Sequence, residues 1–422
     1  MRTSLPPAKP APVPEPQLRL NLWGHLSGGF GLGEGARATA RALQAAGVLV
    51  QWCDLPLATH PNDQPLPEKE APRLPAAVDL IHTNPNVLQH TDGLAERLQL
   101  QAPLRIGYWA WELEQFPRGW ERGFAGLDQL WCPSTFTASS LGLRSPIPVT
   151  ALPHLPDWPR AERLRALRAA QARPGRPFTC LFAFDFWSTV GRKNPYGVIE
   201  AFQLAFPRRR SWGQQKPQAR LVLKLASSQQ FPAATAALRQ RIEADPRISL
   251  ICEHLPAAEF DALYAGADVL VSLHRAEGFG LAMAEAMAAG IPVVATGYSG
   301  NLDFMPPGSA ELIPYTLTPI QRSEGDYRAG ALWAEPDLEA AARALQHLAS
   351  NAGHRAALGE RGRQAVLRLL APERLAAVVQ QRLGTLLLQA GRAELLAALP
   401  QGHPLRLLEG GGSAEQPAQP PA

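Results

Sequence analysis

The chain has 422 residues, of which 46% are hydrophobic and 18% charged, a composition typical of a globular protein with a sizeable buried interior. This length exceeds what one hydrophobic core usually holds, which favours two domains of under ~200 residues each. The formal net charge of +4 is small for the length, so the charge balance by itself points neither to nucleic acid nor to an acidic membrane as a partner.

Both ends of the chain are rich in proline and small residues, and residues 1–17 and 409–422 are predicted to be disordered tails. The first tail lacks the apolar stretch of a secretory signal, and no apolar run in the chain reaches the ~20 residues of a membrane span. The four cysteines are far apart and form no CxxC pair. We therefore expect a soluble, cytoplasmic protein without a metal site.

The sequence between the tails alternates between short apolar runs and helical patterns. Residues 18–155 contain the runs LRLNLWG, VLVQWCD, AVDLIHTN, PLRIGYWAW, LDQLWCPS and IPVTALPH. Such a series predicts the strands of a mostly parallel sheet with helices on both faces. This segment is the predicted N-terminal domain. Residues 156–176, which are rich in proline and arginine, are the predicted linker.

A second series of the same kind follows in residues 177–350, with the runs FTCLFAFDF, ARLVLKLA, ISLICEH, DVLVSLH and IPVVATG. Residues 351–408 have the apolar periodicity of helices, some of which we expect to pack back across the linker. The predicted fold class is α/β, with two tandem doubly wound, Rossmann-like domains that face each other across a cleft. Because ligands bind at the carboxyl ends of the strands in such sheets, the residues after each strand are the first candidates for a site.

The segment after DVLVSLH carries two glutamates, Glu277 and Glu285, in the sequence EGFGLAMAE. A helix that starts near Phe279 or Gly280 and ends at Gly290 would direct free backbone N–H groups into the cleft, which suits a phosphate. The alternative is structural: Glu277 complements the helix dipole and Glu285 is a solvated helical acid. The spacing alone does not separate the two interpretations.

A second candidate lies in FAFDFWSTVGRKNPYGVIEAF, where Arg192 and Lys193 precede a helix whose first residue is Pro195. Arginine binds phosphate oxygens through paired hydrogen bonds and lysine acts as a point charge, so this pair favours an anion site. Two exposed basic residues are the alternative. The presence of the pair in the same domain as the first anion-ready helix predicts a diphosphate site.

Near the N-terminus, SGGFGLGEG places several glycines directly after the first predicted strand. Glycines let the backbone approach a ligand closely. No register of this loop gives GxGxxG, so a dinucleotide fingerprint is not supported. Ligand contact and an ordinary flexible loop stay open as alternatives.

These segments together resemble a known family. Residues 277–285 form the E-x7-E pattern of retaining glycosyltransferases of the GT-B fold, and the segment is similar to glycosyltransferase family 4. Arg192 and Lys193 lie where that family places its donor-diphosphate cations. The resemblance extends from about Leu18 to Leu395. It implies a hexosyltransferase of polysaccharide biosynthesis that uses a nucleotide-diphosphate sugar as donor and needs no other cofactor.

The resemblance also implies a role for each residue of the site. Glu277 would hold hydroxyls of the transferred sugar, and Glu285 would accept hydrogen bonds from the nucleotide ribose. Arg192 and Lys193 would stabilise the leaving diphosphate, so that no metal is required. The other implied donor contacts come from the first glycine-rich loop, the turn before the helix and the YSGN turn: Gly31, Gly33, Gly278, Phe279, Gly280, Leu281 and Ser299.

The N-terminal domain is expected to hold a glycan or lipid-linked acceptor. Candidate contacts follow two apolar runs, in IHTNPN and in YWAWELEQFP: His82, Asn84, Trp109, Trp111 and Glu112. Aromatic faces beside carboxylates suit sugars, whereas core packing is the alternative for the tryptophans and a structural role is the alternative for the histidine. Many members of the family carry a histidine near the donor sugar in the second stretch, where this chain has WAWE.

Other features have two interpretations each. Lys224 in LVLKLA is either a second phosphate-side cation or a buried stem with its ammonium group at the surface. The runs RAERLRALRAAQARPGR and PRRRSW are either solvated faces or a peripheral contact with the inner membrane face. The alternatives to a transferase are a catalytically inactive binding relative and a glycoside hydrolase with Glu277 and Glu285 as paired carboxylates.

Overall fold

The computed structural model describes residues 17–67, 74–88, 96, 98–171, 175–208 and 218–399. The predicted disordered tails, residues 1–17 and 409–422, lie outside the described residues except for Gln17. Within the described residues, the chain forms two parallel six-stranded sheets and a two-stranded hairpin.

The first sheet has the strand order β2-β1-β3-β4-β5-β6, and each neighbouring pair is parallel. Its central strands are buried apolar runs, as expected for a parallel sheet covered on both faces. The strands are β1 (Arg19–Gly24), β2 (Leu49–Asp54), β3 (Val78–His82), β4 (Leu104–Tyr108), β5 (Gln129–Cys132) and β6 (Val149–Ala151). Helices α1 (Gly31–Ala45) and α2 (Thr135–Gly142) follow β1 and β5, and Glu121–Phe124 forms a short 3-10 turn.

The second sheet has the order β12-β11-β10-β7-β8-β9 and is also parallel throughout. Its strands are β7 (Phe178–Asp185), β8 (Ala219–Ala226), β9 (Ile248–Ile251), β10 (Val269–Ser272), β11 (Val293–Thr296) and β12 (Glu311–Ile313). An antiparallel hairpin follows, formed by β13 (Tyr315–Pro319) and β14 (Leu332–Pro336). Both sheets therefore have the predicted α/β, doubly wound character.

The helices of the second half cover its sheet. They are α3 (Trp158–Gln171), α4 (Val190–Lys193), α5 (Pro195–Ala205), α6 (Pro232–Ile242), α7 (Ala257–Ala265), α8 (Leu281–Ala288), α9 (Leu338–Ser350) and α10 (Ala352–Leu369). Further 3-10 turns span Phe186–Ser188, Gly300–Asp303 and Ala393–Ala398. Proline stands in the first turn of α5 and α6, where a missing backbone N–H costs no hydrogen bond.

The predicted linker, residues 156–176, is largely helical. Helix α3 occupies most of it, and Ala161 and Leu164 on one face of that helix are buried in the core of the second sheet. Pro159 lies in the first turn of the helix, so it does not interrupt the hydrogen-bond ladder. The connection between the two sheets is thus a packed structural element.

The last helix, α11 (Pro372–Gln389), returns to the first half of the chain. Its apolar face enters the same core as β1 and α1, and the buried residues of this core include Leu22, Leu43, Leu383 and Leu387. The C-terminal helices therefore pack back across the connection, as predicted from their periodicity. The first core depends on residues more than 300 positions away in sequence.

The carboxyl ends of the two sheets meet. Ser134, just after β5, donates a hydrogen bond of 2.6 Å to the carbonyl of Gly278, which lies after β10. Thr135 donates to Asp303 through its backbone N–H at 2.7 Å and its hydroxyl at 2.5 Å. These contacts place the strand-exit loops of both sheets in one region, where a ligand site is expected.

The packing of α11 against the first core can be tested by comparing a buried leucine with an exposed leucine of this helix. Leu383→Ala removes a fully buried side chain and should destabilise the protein by about 2–5 kcal/mol. Leu388→Ala, on the same helix at 41% exposure, is the control and should change the stability by less than about 0.5 kcal/mol. Urea unfolding followed by circular dichroism measures both, and equal midpoints for the two variants would contradict the packing described.

Candidate active site

The turn between β10 and α8 carries the first glutamate of the motif. The backbone N–H of Glu277 donates to Ser299 Oγ at 2.9 Å, and its carbonyl accepts from the N–H of Gly300 at 2.9 Å. Gly280 caps the helix with φ of +93°, a conformation that L side chains rarely adopt. Helix α8 begins at the next residue, Leu281, slightly later than the predicted start near Phe279 or Gly280. Ser299 thus lies beside this turn, as its place in the sequence suggested.

The cation pair reaches Glu277 from the exit of the neighbouring strand β7. Lys193 Nζ donates to Glu277 Oε2 at 2.5 Å, and Arg192 Nη1 lies 3.6 Å from Glu277 Oε1. Arg192 is buried, and its Nη1 also donates to the carbonyl of Ala276 at 3.0 Å. The structure therefore brings the three predicted catalytic residues into one cluster.

Asn194 fixes the position of this cation pair and was not among the predicted site residues. It adopts a left-handed backbone with φ of +55° and caps α5 by accepting from the N–H of Gly197 at 3.0 Å. Its Nδ2 donates to the carbonyl of Leu273 at 2.9 Å, which ties the cation loop to the end of β10. An asparagine followed by proline at a helix start is a capping signal that the sequence contains.

The electrostatics of the cluster favour an ionised Glu277. Burial alone would raise the pKa of this carboxyl, but Lys193, Arg192 and His274 beside it lower the pKa to about 2. Burial lowers the pKa of His274, whose Nε2 lies 3.2 Å from the carbonyl of Tyr298. A carboxylate held in this way accepts hydrogen bonds and is a poor proton donor.

Glu112 and Trp111, which follow β4 of the first sheet, and Tyr327 of the second half of the chain complete the cluster. Glu112 Oε1 lies 3.6 Å from Arg192 Nη2, and Glu112 Oε2 accepts a hydrogen bond of 2.7 Å from the hydroxyl of Tyr327. The rings of Trp111 and Tyr327 stack with centroids 5.3 Å apart. Burial raises the pKa of Tyr327 well above its ordinary value, so its hydroxyl stays a donor. Tyr327 lies between β13 and β14 in a segment without periodicity, which gave no signal in the sequence.

Glu285 lies in a separate ionic cluster. Its Oε2 is 2.8 Å from Arg160 Nη1, and Arg160 Nε donates to Asp261 at 2.7 Å. Arg160 belongs to α3, the predicted linker, and was not singled out there. The two glutamates of the motif therefore have different partners, and Glu285 is not the solvated helical acid of the structural alternative.

Packing within the glycine-rich loop after β1 explains some of its glycines. A Cβ atom on Gly33 would lie 2.6 Å from the carbonyl oxygen of His25 and closer still to that of Gly28, so this glycine is required by packing within the loop. Gly31, in the first turn of α1, has open space around its Cβ position. Two of the predicted donor contacts, Gly31 and Gly33, lie in this loop. Gly31 has room for a ligand, whereas packing within the loop already explains why residue 33 is a glycine.

Most of the predicted acceptor residues are engaged within the first half of the chain. His82 is buried and stacks on Tyr108 at 4.1 Å between centroids. Asn84 exchanges two hydrogen bonds, of 3.0 and 2.8 Å, with the backbone of Ala110. Trp109 and Trp111 are each 3% exposed and pack with other aromatic residues, because large rings bury well at this end of the sheet. Their side chains therefore fit the core alternative, while Glu112 reaches the cation cluster.

Lys224 has the buried stem of its second interpretation, but its ammonium group is also held inside the protein. Its stem is buried in β8, and its Nζ donates to the carbonyl of Leu225 at 3.0 Å. Among the described residues, no group of three or more histidine, cysteine, aspartate or glutamate side chains is arranged to hold a metal ion. None of the described helices combines the length and the apolar character needed to cross a membrane.

Comparison with known proteins agrees with this geometry. Residues 189–365 match the family model described as glycosyl transferases group 1, and this segment contains the Arg192–Lys193 pair and both glutamates. It spans somewhat less than half of the chain. The protein is a glycosyltransferase of the GT-B fold. No curated protein with detectable similarity to this sequence is found.

Solved structures with the same fold cover almost the whole of this glycosyltransferase. A sucrose-phosphate synthase from Thermosynechococcus elongatus superposes with a TM-score of 0.61 at 18% identity, over 88% of this chain and 100% of that one. HepE from Anabaena, in complex with UDP and glucose, has a TM-score of 0.58 at 13% identity, and the match covers 87% of this chain and 100% of HepE. A glycosyltransferase from Rickettsia africae has a TM-score of 0.60 at 12% identity, and the match covers 89% of this chain and 99% of that one. At these identities the likeness is one of fold.

The paired carboxylate makes the stability of the glycosyltransferase depend on pH. The pKa of Glu277 is about 2 when folded, against an ordinary value of 4.5, so its ionised form contributes stability above pH 4.5 that is lost as the pH falls towards 2. Glu277→Gln should lower the free energy of unfolding by about 3 kcal/mol near pH 6, and the difference from wild type should shrink at pH 3.5. Urea unfolding at several pH values measures this difference.

Glu339→Gln is the matched control for this experiment, because that glutamate is 82% exposed on α9. We expect it to have the stability of the wild type over the same pH range. A Glu277→Gln difference that stays constant from pH 6 to pH 3.5 would show that the carboxylate is not ion-paired in the folded state.

Proposed function

We propose that the protein is a retaining glycosyltransferase that resembles family 4 and transfers a hexose from a nucleotide-diphosphate sugar to a glycan or lipid-linked acceptor. The observation that carries the proposal is the cluster of Glu277, Arg192 and Lys193 at the carboxyl ends of two neighbouring strands. A fixed pair of cations beside the N-terminus of α8 forms a site for two phosphates. Glu277 provides the acceptor oxygens that sugar hydroxyls need.

The proposed division of labour follows from the charges. The bond between the anomeric carbon and the diphosphate oxygen breaks, and Arg192 and Lys193 stabilise the negative charge that develops on that oxygen. The acceptor oxygen bonds to the same face of the anomeric carbon, and its proton passes to the departing phosphate oxygen. Glu277 takes no part in the proton transfer, because a carboxyl with a pKa of about 2 is a weak base.

The same observation weighs against a glycoside hydrolase. Such an enzyme needs one carboxyl group that is protonated near neutral pH to act as general acid. Glu277 is held ionised by two cations, and Glu285 is ion-paired with Arg160 in a different cluster. Glu277 and Glu285 are therefore arranged as two separate binding groups. Arg192 and Lys193 have the charge to bind a diphosphate.

The relatives of the same fold support a nucleotide-sugar donor. HepE from Anabaena is described in complex with UDP-glucose, and TarM from S. aureus in complex with UDP and an alpha-GlcNAc-glycerol. We propose the same class of donor here, with the base and the sugar to be determined. We also propose that no metal takes part, because Arg192 and Lys193 supply the positive charge that a divalent ion supplies in other transferases.

A cytoplasmic location is proposed because Cys132 and Cys180 are buried thiols, which suits a reducing compartment. A peripheral membrane contact through α3 is less well supported. Arg160 and Arg168 of that helix bind carboxylates or carbonyls within the protein, and Arg176 after it pairs with Asp268 at 2.8 Å. The second arginine-rich run, PRRRSW, is mostly outside the described residues.

A nucleotide panel tests the donor. UDP, GDP and ADP, each with its sugar forms, are added to the purified protein. Thermal unfolding is recorded, as is the release of the nucleoside diphosphate when the sugar is transferred to simple glycoside acceptors. We expect at least one nucleotide to raise the melting temperature and its sugar form to be turned over. Absence of stabilisation by all donors would contradict the proposal, and binding without turnover would favour an inactive relative.

The cation pair gives a sharper test. Lys193→Met should lower kcat/KM for the productive donor by about 100-fold, since one charge on the leaving diphosphate is lost. Arg343→Met, a basic residue on α9 at 65% exposure, is the control and should keep wild-type kinetics. Wild-type kinetics for Lys193→Met would remove this residue from the mechanism.

The anomeric proton coupling of the product, measured by NMR, should show the same configuration as the donor.

A further inference from the structure

Arg160 is a partly buried cation between two carboxylates. It lies in the first turn of α3, the helix that connects the two sheets, and its guanidinium binds Glu285 of α8 at 2.8 Å and Asp261 of α7 at 2.7 Å. The planar guanidinium can hold both carboxylates at once, which an ammonium group cannot do with the same geometry. Helix α3 is therefore joined at one side chain to α7 and α8, through partners that lie more than 100 residues further along the chain.

This arrangement is costly if its only role is stability. The side chain of Arg160 is 17% exposed, and its Nη2 has no hydrogen-bond partner among the described residues. A desolvated N–H group without an acceptor costs about 1–3 kcal/mol, and buried ion pairs often add little to stability compared with apolar packing. A functional reason for this cost is that the positive charge of Arg160 holds the Glu285 carboxylate in place and favours its ionised form.

Glu285 needs such control. Burial raises the pKa of its carboxyl above the ordinary value, Arg160 opposes this shift, and Glu34 of α1 adds to it. Glu34 is itself paired with Arg37 at 2.8 Å and with Arg41 at 3.0 Å, so the groups around Glu285 include cations and anions from both sheets. Among these groups of the described structure, Arg160 is the one whose guanidinium contacts the Glu285 carboxylate, at 2.8 Å.

We propose that Arg160 is a positioning residue that orients the Glu285 carboxylate and keeps it ionised, so that it accepts hydrogen bonds from the ribose of the donor nucleotide. This inference rests on the proposed function, because it assumes a nucleotide-diphosphate sugar at the site. Since Arg160 belongs to the connecting helix, the ribose subsite is built jointly by the second sheet unit and by the segment that joins the two units.

The test compares a nucleotide with its deoxy counterparts. Isothermal titration calorimetry is used with UDP, GDP or ADP, whichever binds most tightly, and with its 2′-deoxy and 3′-deoxy forms. The wild type should bind the ribonucleotide more tightly than at least one deoxy form. Arg160→Gln should reduce that preference about tenfold, because the misoriented and more easily protonated Glu285 no longer accepts from the ribose hydroxyl.

Four further variants separate positioning from general damage. Glu285→Gln should lose the ribose preference in the same way, and the double variant should lose no more than either single variant. Arg160→Lys should lose part of it, because an ammonium group lacks the planar, fixed donor geometry with which the guanidinium holds Asp261 and Glu285. Arg168→Gln is the matched control, because its guanidinium lies on the same helix and binds the carbonyls of Ala265 and Ala267; it should keep the wild-type preference.

The pH dependence gives an independent readout. Ribonucleotide affinity should fall as Glu285 becomes protonated, and in Arg160→Gln this fall should begin at a higher pH than in the wild type. An unchanged ribose preference in a folded Arg160→Gln or Arg160→Lys variant would overturn the inference while leaving the glycosyltransferase proposal intact. A wild type that binds none of the three diphosphates would overturn both.

Discussion

The site depends on one constraint: a buried carboxylate must have cationic partners. Glu277 lies after β10 and its partners Arg192 and Lys193 lie after β7, and these strands are neighbours in the sheet. The two loops are held together by Asn194, which caps α5 and also donates to the end of β10. Without this bridge the cations would be free to move, and an unpaired charge would remain buried.

The ion pair also sets the state of the site before a donor binds. Lys193 is the shortest contact of Glu277. Under the proposed function, an incoming diphosphate would therefore compete with the carboxylate for the ammonium group. Arg192 is held more firmly, because Glu112, Glu277 and the carbonyl of Ala276 all lie around its guanidinium. One cation is therefore preorganised for the phosphates and the other can be shared between phosphate and carboxylate.

The sequence predicted the parts of this arrangement that are local. Apolar runs of four to eight residues separated by helical patterns predicted both parallel sheets. Glu277 and the Arg192–Lys193 pair were predicted to share one site because each follows a strand, whereas Glu285 lies in a separate cluster. Arg160 and Tyr327 were missed because their partners are more than 100 residues away. Trp109 and Trp111 were ambiguous, since a ring suits both a sugar and a core.

The two glutamates of one motif show how environment sets the role of identical side chains. Both are buried, and burial alone raises the pKa of each. Two cations and a histidine overcome burial at Glu277, whereas at Glu285 the effects of Arg160 and Arg41 are opposed by burial and by an additional anion, Glu34, from the first sheet unit. Glu277 is thus kept ionised mainly by cations from the neighbouring strand exit of the same sheet, while the ionisation of Glu285 depends on α3 and α1.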